Sequence, residues 1–118
     1  MIDLKLINID KELPSQYRDF SSKGAYPLFD KKCGIIFLND NFLDLYNGLK
    51  QRYSKHNLVP FAISARDDTV CCFSLNDEIL KKVYLIQDFQ GYENPIFKIF
   101  ENFDQFLGAI LRVNYDEK

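Results

Sequence analysis

Apolar positions change their period along this chain. Ile2, Leu4 and Leu6 alternate with Asp3 and Lys5, which predicts a short strand within residues 1–9. Leu13, Tyr17 and Phe20 share one helical face beside Pro14, a residue suited to a first helical position, so LPSQYRDF predicts a short helix ending near Ser21–Gly24. Residues 25–33 read as loop. Gly34–Leu38 (GIIFL) is apolar and β-branched and predicts a buried strand. Asn39–Asn41 offer capping side chains ahead of Phe42, Leu45, Tyr46, Leu49 and Tyr53, an amphipathic helix that stops before His56–Asn57.

The second half alternates apolar runs with short polar connections. Leu58–Ala65, Val70–Leu75, Lys82–Phe89 and Ile96–Ile99 predict four strands. Arg66-Asp67-Asp68-Thr69 predicts a hairpin turn, because Asp bonds its own backbone and tolerates turn geometry. Asn76–Leu80 and Gln90–Pro95 predict two further connections. Asn102 followed by Gln105 has the pattern of a capping box, and Phe103, Phe106, Leu107, Ile110 and Leu111 form an apolar stripe behind it. Asn114–Lys118 are expected to fray. Sequential strands joined by short turns imply antiparallel pairing. The expectation is one α+β domain over residues 1–118: a twisted antiparallel sheet of about four to six strands flanked by helices, the C-terminal helix packed on the sheet.

Composition sharpens this. A chain of 118 residues that is 47% hydrophobic and 15% aromatic suits one folded core rather than a disordered segment. A net charge of -2 gives no electrostatic case for gripping a phosphate backbone, so no nucleic-acid partner is expected. Asp3, Lys5, Asn8 and Asp10 interrupt any secretory apolar region, and no run approaches the roughly 20 residues that span a bilayer. Three cysteines, an odd number with two adjacent, fit free thiols in a reducing compartment. A cytoplasmic protein without a membrane partner is expected.

Catalytic chemistry finds no set of partners. His56 is the lone histidine, and Cys71 and Cys72 on one strand point to opposite faces, so at most one faces any site. Cys33, His56, Cys71 and Cys72 lack the paired spacing of a zinc site. Asp67 with Asp68, and Asp77 with Glu78, fall at turn tips, where carboxylates stay hydrated. The five glycines are scattered and form no phosphate loop. Lys81-Lys82-Val83-Tyr84 interleaves base and aromatic, yet two lysines at a strand entrance protect an edge. No catalytic residue, cofactor or metal is expected. A binding module remains, with Tyr26, Tyr92 and Phe97 as its exposed aromatics.

Four pieces of residues 56–111 carry a resemblance: Leu58-Val59-Pro60-Phe61-Ala62; the acidic turn Asp67-Asp68 leading to Cys72-Phe73 and Leu75-Asn76; Val83–Phe89 followed by Gly91-Tyr92-Glu93; and Phe103, Phe106 and Leu107. In order and spacing this stretch resembles the SUKH superfamily (the SMI/KNR-type domain). The first half departs from that pattern: it has no long opening helix and no double-glycine turn, and only LPSQYRDF is similar to the family's start. The resemblance implies an antiparallel twisted sheet flanked by helices, without catalytic residues. It also implies an immunity protein that binds and neutralises a cognate polymorphic or contact-dependent toxin, of which many are nucleases. The alternative is a regulatory protein–protein interaction module without a toxin partner; a small enzyme using Cys71 or Cys72 is the third reading.

Charge is unevenly divided. Residues 1–66 hold ten basic and seven acidic side chains, and residues 67–118 hold five basic and ten acidic. The acidic half points to a basic protein partner, which the resemblance implies is a toxin domain. The expected contact residues are Asp67, Asp68, Asp77, Glu78, Tyr92 and Glu93, on a monomer or weak dimer.

Overall fold

The apolar run Leu58–Ser64 (β2) fills the interior of the sheet, yet it contains Pro60, which cannot donate to a ladder. A bulge resolves the conflict. Pro60 pairs with Cys72 and Ala62 with Cys71, leaving Phe61 as the extra residue. The computed structural model that shows this describes residues 1–24, 34–88 and 94–116, with side chains through residue 111.

Five strands, Ile35–Phe37 (β1), β2, Thr69–Ser74 (β3), Val83–Gln87 (β4) and Ile96–Phe100 (β5), lie in the order β1-β2-β3-β4-β5. Every pair is antiparallel. Among the described residues three α-helices accompany them: Ser15–Ser22 (α1), Phe42–Arg52 (α2) and Phe103–Asp116 (α3). The fold is α+β, with α3 packed on the sheet.

Alternation along β3 sorts the core into two clusters. Cys71 and Phe73 join a larger cluster with Tyr17 and Phe20 of α1 and Phe103 and Phe106 of α3. Val70 and Cys72 join a smaller one with Leu49 of α2, Tyr53, Leu58 and Ile86. Helix α2 starts in the larger cluster, through Phe42 and Tyr46, and ends in the smaller one. Because β2 is bulged, Phe61 and Ala62 both face the larger cluster. Phe61, fully buried, stacks on Phe73 at 4.4 Å between centroids and touches the rings of Tyr17, Phe37, Phe103 and Phe106.

The N-terminus corrects its alternating pattern. Residues 1–9 form no strand; Leu4–Ile7 is a 3-10 turn. The Asp3 carboxylate accepts from the Lys5 amide at 3.0 Å, and Asn8 closes the turn with φ 58°. Ile2 and Leu4 are buried but Leu6 is half exposed, so the alternation breaks inside the turn, where three residues complete each revolution. Pro14 caps α1 from the residue before its first turn. At α2 the expected side-chain cap is absent: the Asn41 Oδ1 accepts from the Asn39 amide instead. At α3 Asn102 Oδ1 does accept from the Gln105 amide (2.9 Å), and Gln105 reaches back to the amide of Glu101. The expected strand Lys82–Phe89 is shorter, Val83–Gln87.

Candidate partner-binding surface

The connection Asn76–Lys82 leaves β3 and is fixed from several sides. Lys11 Nζ donates to the carbonyls of Leu75 (2.9 Å) and Asp77 (2.7 Å). The Leu75 amide bonds the Asn57 carbonyl, and Asn57 Nδ2 donates to Asn76 Oδ1. Asn76 Nδ2 bonds the Lys55 carbonyl (2.8 Å), and Ser74 Oγ donates to the His56 carbonyl (2.8 Å). From β4, Tyr84 donates its hydroxyl across both Asp77 carboxylate oxygens, at 3.0 and 2.8 Å. Burial, then this bond, push the Tyr84 phenol up to about 12. Leu80 is buried as an apolar anchor. On this fixed frame Glu78 is exposed and Ile79 is 78% exposed, the most of any large apolar side chain among the described residues.

The β2–β3 turn carries the other acidic pair. Asp68 sits at φ 60°, a left-handed conformation that Asp tolerates. Partial burial raises the Asp67 carboxyl, but bonds from Ser64 and Thr69 outweigh this and hold it below its ordinary value. The Thr69 amide bonds Asp67 Oδ1 at 3.2 Å. Asp68 remains exposed.

The two acidic pairs are not one patch. They lie at opposite ends of β3, roughly 20 Å apart for a six-residue strand. Within each pair one acid is structural (Asp67, Asp77) and the other free to face solvent (Asp68, Glu78). The expectation that all four stay hydrated therefore fails at Asp77, which is half buried under Tyr84. Tyr92 and Glu93, like Tyr26 and Cys33, lie outside the described residues. Phe97 is exposed as expected, at 54%. Ile79 and Ile99 were not singled out by pattern. Ile79 follows two acids in a polar connection, which is itself a signal of exposure.

A second acid of the C-terminal half is neutralised locally. Asp88 accepts from the Arg52 guanidinium through both oxygens and from the Tyr53 hydroxyl (2.9 Å). This pairing raises Arg52, and burial followed by the Asp88 bond raises Tyr53. The cluster ties the end of α2 to the end of β4.

Cys71 and Cys72 are buried in opposite clusters, and burial pushes both thiols far up, away from the thiolate form a nucleophile needs. No group of three or more His, Cys, Asp or Glu among the described residues could hold a metal ion. An open cleft of about 520 Å³ lies beside the N-terminal turn, but Asp3, Lys11 and Arg18 on its wall already bond backbone groups of the chain. No helix among the described residues is long and apolar enough to cross a membrane.

Comparison with protein-family models, curated proteins and solved structures gives no match for this chain.

Proposed function

We propose that this chain is an immunity protein of the SUKH type, acting in the cytoplasm by binding and blocking a toxin domain of basic surface. The observation that carries the reading is the β3–β4 connection. Lys11 and Asn57 hold its backbone and Tyr84 holds the Asp77 side chain, yet it directs Glu78 and the 78%-exposed Ile79 outward. A rigid loop bearing an apolar side chain beside an acid is the form of a protein contact: the apolar group supplies burial and the charge steers encounter. The buried thiols favour binding over nucleophilic chemistry. The resemblance over residues 56–111 supplies the partner class.

The test is co-expression of this chain with the product of the neighbouring gene as the candidate toxin. Survival that depends on this chain supports the proposal. Equal killing with and without it removes the toxin reading and favours a regulatory interaction module.

A further inference from the structure

We propose that β5 pairs with β5 of a second copy, antiparallel about a two-fold axis at Ile99, joining two five-stranded sheets into one. β5 ends the strand order, and among the described residues no strand covers its outer edge. Ile96–Phe100 (IFKIF) carries a single charge and leaves Phe97 54% and Ile99 47% exposed. Such a strand is a template for another strand unless something blocks it.

The backbone selects Ile99. The Gln87 amide bonds the Pro95 carbonyl at 3.1 Å, and β4 pairs through to Val83 without an extra residue of its own. Gln87, Leu85 and Val83 therefore turn their amides toward β5, and Tyr84 turns its amide away. Ile99 is paired with Tyr84, so its own amide and carbonyl face outward. In a symmetric antiparallel pair one residue opposes its own copy. Phe97 is the extra residue of the β5 bulge, which disrupts a ladder. Lys98 would oppose two ammonium groups, which is unfavourable. With Ile99 at the axis, Ile99 meets Ile99, and each Lys98 opposes the copy's Phe100. That cation–ring contact already exists within the chain, where Lys98 Nζ lies 5.5 Å from the Phe100 ring centroid. No like charges then face each other, which makes a second copy the occupant this edge fits.

The experiment is register-specific cross-linking in a Cys33→Ser background, where Cys71 and Cys72 are buried. Ile99→Cys, Lys98→Cys and Phe97→Cys are each oxidised mildly and run without reductant. At the axis two Cα atoms stand about 5.5 Å apart, within disulfide reach, so Ile99→Cys should cross-link about tenfold faster than the other two. Sedimentation of the unmodified chain at rising concentration should approach twice 13.9 kDa, and folded Ile99→Glu should stay at 13.9 kDa. A chain that stays monomeric throughout, cross-linking without preference for residue 99, or an Ile99→Glu dimer overturns the proposal. So does an edge that binds a toxin segment but not itself.

Discussion

Tyr84 of β4 lies seven residues from Asp77 of the connection before it, and its hydroxyl spans both oxygens of that carboxylate. With the Lys11 bonds to the Leu75 and Asp77 carbonyls, this contact holds the loop that presents Ile79. Tyr84→Phe and Asp77→Asn should each lower stability by about 1–2 kcal/mol, with the double variant losing little more than either alone. Denaturant unfolding of the four proteins checks this; full additivity would show that the bond does not tie the loop.

The same pair sets an alkaline limit. The Tyr84 phenol is raised from 10.0 to about 12, so folding favours its neutral form. The associated stability is fully present below pH 10 and is lost as pH rises from 10 to 12. Tyr53 shifts in the same direction and adds to the loss. Asp67 has the opposite sign: its carboxyl is held low, and its contribution fades as pH falls below the ordinary carboxylate range. The denaturant midpoint should fall across pH 10–12, and less steeply in Tyr84→Phe.

Phe61→Ala should be among the most damaging core changes, costing about 3–5 kcal/mol, because one ring meets five others on β1, β3, α1 and α3. Phe61→Leu keeps much of the volume and should cost less. Thermal and denaturant unfolding distinguish the two.

In a Cys33→Ser background the remaining thiols should resist a thiol reagent under native conditions and react when the chain unfolds, since Cys71 and Cys72 are buried. Fast native labelling would contradict the burial of β3.

The acids separate by role. Asp68→Asn and Glu78→Gln should change stability by no more than about 0.5 kcal/mol, as surface substitutions do. Together they should slow association with a basic partner and weaken its salt dependence. Changing Asp67 or Asp77 disturbs the turn or loop itself, so replacing all four acids at once would mix the two effects.

The strands were legible because each apolar run is bounded by a turn whose chemistry is local: Asp68 with its positive φ, and Asn76 beside Ser74. Opposite faces for Cys71 and Cys72 follow from strand alternation alone. Residues 1–9 misled because three alternating positions are too few to specify a strand, and the 3-10 turn leaves Leu6 exposed. What separates them here is the Asp3–Lys5 bond and the burial of Ile2, whose amide donates to the Tyr17 hydroxyl at 3.1 Å. In the candidate surface, acidity was visible but accessibility was not. Asp77 lost part of its hydration to Tyr84, and Asp88 to Arg52 and Tyr53, through contacts that only the folded sheet creates.

The most direct measurement is calorimetric titration of the purified chain into the product of the neighbouring gene, the candidate toxin, repeated with Glu78→Gln plus Ile79→Ala. The proposal predicts a saturable equimolar complex that this double variant weakens at least about tenfold, the loss of a contact of roughly 1.4 kcal/mol or more. No binding heat under any salt condition, or a complex indifferent to both changes, would contradict it.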